Sequence, residues 1–285
     1  MVGRLPHSLY TPLILGAHLV TKIGIVGCAG RMGRMLIREV LATPGCILAG
    51  GTETAGDIVG TDLGLLVGTK TLGIAVTADA KALFAASDAV IDFTVPAATK
   101  IHADLAAATG KALVVGTTGL GADVLAAVHA ASKKASVVRS ANMSVGVNVL
   151  LALTQKLAAT LGDDYDIEIV EMHHRHKVDS PSGTALALGE SAAKGRGVSL
   201  SSAARRTRDG QVGPRPKGEI GFATLRGGDV VGDHTVVFAA DGERIEITHK
   251  ASSREVFAKG AVRAAAWAAA KAPGLYSMAD VLDLA

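Results

Sequence analysis

From Lys22 onward the chain alternates short apolar runs with Ala-rich stretches whose apolar positions recur at helical spacing. Ile23 to Val26 reads as a buried strand ending at Gly27, and Arg31 to Leu41 as an amphipathic helix. Ile47 to Thr52 is a second strand, stopping at Glu53. Ala89 to Phe93, Ala112 to Val115 and Ser136 to Val138 follow as strands, with helices over Ala97 to Ala108 and Ala122 to Lys133. Strands alternating with helices predict a doubly wound parallel sheet, because parallel neighbours need crossover connections.

After Ser144, which has the chemistry of an N-cap, a long helix is expected to about Leu161, and the pattern then changes. Asp166 to Met172 alternates like a half-exposed strand. Between Gly218 and Lys250 lie three strand-like runs without intervening helices: IGFATL, DVVGDHTVVFAA and ERIEITHKA. This is the pattern of an open, mostly antiparallel or mixed sheet. A helix over Thr184 to Ala193 and the loop RRTRDGQVGPRPKGE separate the two regions. Helix returns over Glu255 to Ala272 and again over Met278 to Leu284. The expectation is therefore α/β: a Rossmann-type doubly wound sheet built from 22–143 together with 254–285, and a second α+β domain with an open mixed sheet from 144–253.

The first 21 residues superficially resemble a secretory leader, but Pro12 and His18 break the apolar run and no small-x-small site follows it. They are expected to be a disordered extension, or the product of a start codon set too early, and are too short to span a bilayer.

Composition narrows the function classes. With 49% hydrophobic and 19% charged residues the chain can bury a sizeable core, which excludes a disordered protein, and 34 glycines without a three-residue period exclude collagen. A net charge of +3 is spread along the chain, and five Phe, three Tyr and one Trp leave little for base stacking. Nucleic acid is therefore not expected as a partner, nor a membrane; the one basic run, Arg205, Arg206 and Arg208, reads as a solvated loop. Cys28 and Cys46, with no CxxC spacing, fit a reducing, cytoplasmic setting.

Three clusters carry candidate chemistry. VGCAGRMGR puts Gly27, Gly30 and Gly33 between a strand and a helix, where a pyrophosphate can approach the backbone and meet the helix N-terminal amides. Glu53, twenty residues past Gly33, can accept hydrogen bonds from ribose hydroxyls. Thr54 follows it where a 2′-phosphate would want Arg or Lys, so NADH is expected to serve at least as well as NADPH, with Arg31 the one basic side chain of the glycine loop able to help a phosphate. The segment EMHHRHKVDSPSGTA gathers His173, His174, His176, Arg175 and Lys177 ahead of Ser182, Gly183 and Thr184, which open a helix. It suits a small anion. A metal site on the three His, a nucleophilic Ser182 and a solvated basic loop remain open alternatives, although no Cys or Asp completes a ligand set and no GxSxG elbow surrounds the Ser. Finally, DFT (Asp92 to Thr94), VVGTTGL (Val114 to Leu120) and SANMSVGVN (Ser140 to Asn148) sit at strand ends, where open α/β sheets bind ligands.

Taken in order, GCAGRMGR, DFT, GTTG, SANMSVGVN, EMHHRHKVDSPSGTA, GFATLRGGDVVGDHTV and ITHKASSR resemble the 4-hydroxy-tetrahydrodipicolinate reductase family, formerly dihydrodipicolinate reductase, of the diaminopimelate route to lysine. The resemblance runs from about Lys22 to the C-terminus. It implies a Rossmann domain, a substrate-binding domain whose mixed sheet builds a homotetramer, hinge closure, NADH or NADPH as cofactor, and a small cyclic dicarboxylate as substrate. By motif, Gly27, Cys28, Ala29, Gly30, Arg31 and Met32 would cradle the pyrophosphate and Glu53 the ribose. Gly116, Thr117 and Thr118 with Ser140, Ala141, Asn142 and Met143 would face the nicotinamide. His173 would donate or accept a proton and Lys177 donate one, while His174, Gly183 and Thr184 hold substrate carboxylates; no metal is implied. The chain departs from many members at Thr54, where they carry Arg, and at Met143, where they carry Phe. Another amino-acid-pathway dehydrogenase, which as an aspartate semialdehyde enzyme would need a nucleophilic Cys, and a catalytically silent NAD-binding sensor are the alternatives.

Overall fold

The structure, a computed structural model, describes residues 20–54 and 56–284. Most of the expected leader lies outside the described residues. Its last residue, Thr21, does not belong to an extension: it opens the first strand, pairing with Cys46 and donating its amide to Gly45 O at 2.9 Å.

The first half of the chain runs β1 (Thr21–Val26), α1 (Arg31–Ala42), β2 (Cys46–Thr52), α2 (Leu63–Leu66), α3 (Ala80–Ala86), β3 (Ala89–Asp92), α4 (Pro96–Thr109), β4 (Ala112–Val115), α5 (Ala122–Ser132) and β5 (Ser136–Arg139). It continues with α6 (Val145–Leu161), β6 (Asp166–His173), α7 (Gly183–Arg196), α8 (Leu200–Ala203), β7 (Ala204–Arg205), β8 (Ile220–Arg226), β9 (Gly232–Ala240), β10 (Glu243–Ala251), α9 (Glu255–Ala268), β11 (Gly274–Tyr276) and α10 (Met278–Leu282).

Six strands form one all-parallel sheet in the order β11-β5-β4-β3-β1-β2. Its strands are apolar on both faces. Ile23, Ile25, Ile91, Val114 and Val138 pack toward α1 and α9, whereas Val26, Val90, Leu113, Val115 and Val137 meet α3, α4 and α5. Burial on both faces is what demands helices on both sides. The last segment of the chain rejoins this sheet: α9 packs on it and β11 extends its edge beside β5.

The second sheet, β10-β9-β6-β8-β7, is mixed, with β10, β9 and β6 antiparallel and β8 and β7 parallel to their neighbours. Its buried face packs Ile167, Ile169, Ile220, Phe222, Val236 and Phe238 against Leu150 and Ala158 of α6 and Leu188 and Ala192 of α7. Among the described residues no helix lies on the opposite face, which alternates half-exposed residues along β6 and β9. With the turn that continues it to Asp164, α6 is long and apolar enough to cross a bilayer, yet its Leu150, Thr154 and Ala158 stripe is the layer under this sheet.

Three expectations are corrected. The helix read to Ala272 ends at Ala268 and gives way, past Pro273, to β11, whose three residues were too few for a strand pattern. The run from Asp229 becomes a strand only at Gly232, because Gly228 turns at φ +53° and Val230 O accepts the His174 amide at 2.7 Å. The basic run is not a free solvated loop: Arg205 pairs with Glu219 at 2.7 Å and Arg208 grips both oxygens of Glu168 at 2.9 Å.

Candidate active site

The glycine loop fits a pyrophosphate. Gly27 turns at φ +67°, a conformation closed to most L-residues. A Cβ on Gly33 would lie 2.2 Å from Gly27 O, so only glycine lets α1 seat this close to β1. Gly30 caps α1 with no side-chain bond to the first-turn amides, and no acidic residue occupies that turn, which leaves the positive helix end for an anion. Arg31 is exposed at the helix start. The Ala29 amide donates to Glu53 Oε1 at 2.8 Å, fixing the carboxylate beside the loop. Cys28 is buried, and loss of solvent followed by the charge of Glu53 pushes its thiol up to about 12. Burial raises Cys46 as well. Neither is the nucleophile an aspartate semialdehyde enzyme needs.

Asp92, fully buried at the end of β3, ties the next loops together. Its Oδ1 accepts from the Thr94 amide at 2.8 Å, Thr94 Oγ1 at 2.6 Å and Thr117 Oγ1 at 3.1 Å, while Oδ2 meets His102 Nδ1 at 2.9 Å. Burial opposes the charge, but His102 and Thr94 outweigh it and hold the carboxyl below its ordinary range. A Cβ on Gly116 would stand 2.4 Å from the Phe93 ring, so a larger residue there would displace that ring. Thr118 is exposed beside it. Ser140 Oγ donates to Asn142 O at 2.8 Å, and Asn142 Nδ2 donates to Thr184 Oγ1 at 3.2 Å, linking this loop to α7. Met143 is buried against α9, where a Cβ on Gly260 would come within 1.7 Å of its carbonyl oxygen.

On β6, Ile167, Ile169, Glu171 and His173 share the buried face, so the strand passes from apolar to ionisable residues without changing sides. Register brings Thr224 and His234 opposite Glu171, and Arg226 opposite His173. Glu171 Oε2 lies 2.6 Å from His173 Nδ1 and accepts from Arg226 Nη1 at 2.8 Å; Oε1 accepts from Arg226 Nη2 at 2.9 Å and the Ser182 amide at 3.1 Å. Burial works to raise this carboxyl, but Arg226, His173 and the Ser182 amide together keep it below its ordinary range. His234 Nε2 meets Ser182 Oγ at 3.0 Å, and its ring stands edge-on to His173 at 5.1 Å. Ser182 caps α7, accepting the Ala185 amide at 3.1 Å, so Gly183 and Thr184 are the first helical residues, whose amides have no acceptor within the helix. Lys177 Nζ donates to Asp179 Oδ1 at 2.8 Å, a bond that lowers the Asp179 pKa. Partial loss of solvent, then Arg254 and the neighbouring cations, lower His174.

A cavity of about 310 Å³ joins these loops. Met32, Gly116, Ala141, Asn142 and Met143 line it from one side, and His173, His174 and Lys177 from the other, with Phe93, Val231, Arg254 and Phe257 completing the wall. Thr117, Thr118, Ser140, Gly183 and Thr184 do not line it; Thr117 and Ser140 support the loops that do, and Thr184 reaches it through Asn142. His174 and Arg254 also line an adjoining cavity with Arg31, Arg175 and His176, so a cationic surface runs from the glycine loop to the histidines. Among the described residues no group of three His, Cys, Asp or Glu is assembled to hold a metal.

Glu171, Arg226 and His234 were not singled out in the sequence. The signal was present: once Ile167 and Ile169 are read as buried, Glu171 and His173 share their phase. Arg226 and His234 needed the strand register, which no local pattern supplies.

Comparison with known proteins is consistent from residue 21 to residue 282. Family models described as dihydrodipicolinate reductase N-terminus and C-terminus match residues 21–143 and 146–282. The 4-hydroxy-tetrahydrodipicolinate reductase of Dinoroseobacter shibae is 53% identical over 266 residues, 93% of this chain and 99% of that protein. The protein of the same name from Parvibaculum lavamentivorans is 55% identical over 265 residues, 92% of this chain and 98% of its own. Among solved structures, a dipicolinate-bound dihydrodipicolinate reductase from Paenisporosarcina sp. TG-14 shares the fold with a TM-score of 0.73 at 20% identity, covering 90% of this chain and 97% of that one.

Proposed function

The chain belongs to the dihydrodipicolinate reductase family, and on that premise we propose that it reduces 4-hydroxy-tetrahydrodipicolinate to tetrahydrodipicolinate, with loss of water, using NADH at least as well as NADPH. The enzyme is an NAD(P)H-dependent oxidoreductase of the diaminopimelate route to lysine. The observation that carries the reading is the single cavity walled by Gly116 and Ala141 to Met143 on one side and by His173, His174 and Lys177 on the other. A reductase needs both walls, one for the hydride donor and one for charge and protons.

Gly27, Cys28, Ala29, Gly30, Arg31 and Met32 hold the pyrophosphate, Glu53 the ribose hydroxyls, and Gly116, Thr117, Thr118 and Ser140 to Met143 the nicotinamide side. When bound, the dihydronicotinamide supplies a hydride to ring C4 of the conjugated imine that loss of water leaves. The electrons displaced toward nitrogen leave a carbanion or enamine on the substrate. His173 or Lys177 protonates it, and the surrounding cations stabilise the developing charge. His174 and the amides of Gly183 and Thr184 bind the carboxylates, as a helix N-terminus binds anions.

The segments 22–143 and 254–285 act as the dinucleotide-binding domain and 144–253 as the domain for substrate and oligomerisation. The half-exposed face of the mixed sheet, with Val170 and Val237 at its centre, supports a homotetramer. The two cysteines, both unpaired, fit the cytoplasm. An assay coupled to the preceding synthase, run with NADH and NADPH in parallel, tests the reading: oxidation of NAD(P)H that depends on the synthase product supports it, and none with either nucleotide refutes it.

A further inference from the structure

We infer that Glu171, clamped by Arg226, is the positioning residue that keeps the proton of His173 on Nδ1 and turns Nε2 toward the cavity. The inference rests on the proposed role of His173 and adds the residues through which it acts. Glu171 is 1% exposed and His173 8%, so neither is oriented by bulk water. All four hydrogen-bonding positions of the carboxylate are used: Oε2 by His173 at 2.6 Å and Arg226 at 2.8 Å, Oε1 by Arg226 at 2.9 Å and Ser182 at 3.1 Å. A carboxylate held ionised by a bidentate guanidinium can only accept, so His173 Nδ1 must be the donor. Neutral His173 then has a bare Nε2, able to take a proton, and its imidazolium presents that proton from the same atom.

Nε2 has its space because residue 232, on the neighbouring strand, is glycine: a Cβ there would lie 2.9 Å from it. The ring's other neighbour, His234, is occupied with Ser182 Oγ at 3.0 Å and does not compete for Glu171. Arg226 does more than balance charge. Its Nη2 also donates to Asp179 O at 2.7 Å, fastening the loop that carries Lys177 to the same carboxylate. One half-buried ion pair thus fixes both proton-handling residues relative to β6. A carboxylate behind an imidazole is a recurrent way to set its tautomer and to stabilise its protonated form.

The test compares Glu171→Gln, His173→Gln and the double variant in the coupled assay, with melting temperature and KM for NADH measured alongside. Expected is a drop in kcat of about 100-fold for Glu171→Gln with KM for NADH unchanged, and no further drop when it is added to His173→Gln, because the two act as one unit. A near-wild-type kcat for Glu171→Gln beside a crippled His173→Gln overturns the inference and leaves the role of His173 standing. A near-wild-type His173→Gln overturns that role and this inference with it. Should Glu171→Gln fail to fold, neutron diffraction from the unsubstituted protein decides: deuterium on Nδ1 of His173 is expected, and a bare Nδ1 facing Glu171 contradicts it.

Discussion

At the scale of single residues, conformational and steric demands fall on few positions, and each makes a sharp prediction. Gly33→Ala places a methyl 2.2 Å from Gly27 O, so α1 must move away from β1. The expected cost is about 1–3 kcal/mol of stability, read as a lower denaturation midpoint, together with a raised KM for the nucleotide. A variant with unchanged midpoint and KM would show that the close approach at the loop is dispensable. Thr54 leaves a 2′-phosphate without the basic side chain it seeks directly after Glu53. Parallel titrations should therefore give a kcat/KM for NADH at least equal to that for NADPH, and a much lower KM for NADPH would contradict the assignment.

His234 sets the pH response at the same scale. Burial, then the positive field of His173, push it down to about 4, with His249 and Lys177 adding to that field and Glu171 opposing it. A base whose folded pKa lies below its unfolded value of 6.5 binds fewer protons folded than unfolded between the two. Stability should therefore fall as pH drops from about 6.5 toward 4, by about 3 kcal/mol if His234 alone carried the full shift. Asp92 and Glu171, held below their ordinary values of 3.8 and 4.5, keep their contribution above about pH 5, begin to lose it as pH approaches those ordinary values, and have lost it once pH falls through their own lowered pKa values. Melting temperatures measured from pH 7 to pH 5, above the range where the carboxylates lose their share, should thus slope downward with acid, and His234→Gln should flatten that slope; an equal slope in the variant would assign it to His174 and His249, which are also lowered.

At the scale of elements, what the sequence reveals depends on whether an element repeats a period. The strands of the parallel sheet and the long helices were legible because burial on both faces writes continuous apolar runs and helices write a helical period. Ala112–Val115 falls at the residues expected, and Ser144 is the N-cap of α6, with Oγ accepting the Val147 amide at 3.3 Å. α2 and α8, a single helical turn each, and β7 and β11, of two and three residues, are too short to repeat a period, and no local pattern marks them. α3, at seven residues, shows too few turns for its period to stand out, although Asp79 caps it by accepting the Ala82 amide at 2.9 Å. The motifs located His173, Lys177 and the glycine loop, since each lies in one contiguous segment. Glu171 with Arg226, and Asp92 with His102 and Thr117, are assembled across strands and loops, so they emerge only from three-dimensional pairing.

At the scale of the whole molecule, loops from both sheets line one cavity. The mixed sheet carries His173 at the end of its buried face, and among the described residues no helix lies on the opposite face. A homotetramer joined through that face predicts that Val170→Lys, which puts a charge at its centre, shifts the sedimentation profile to smaller species while the monomer fold persists by circular dichroism. A tetramer undisturbed by that substitution would place the subunit contacts elsewhere.

The central claim is that the histidine and lysine walling this cavity handle the proton of a nicotinamide-dependent reduction. It is tested most directly by the rate of NADH oxidation, coupled to the preceding synthase, for the unsubstituted enzyme against His173→Gln and Lys177→Ala. The account predicts kcat lower by about 100-fold or more in each variant, with KM for NADH little changed; near-wild-type kcat in both would contradict it.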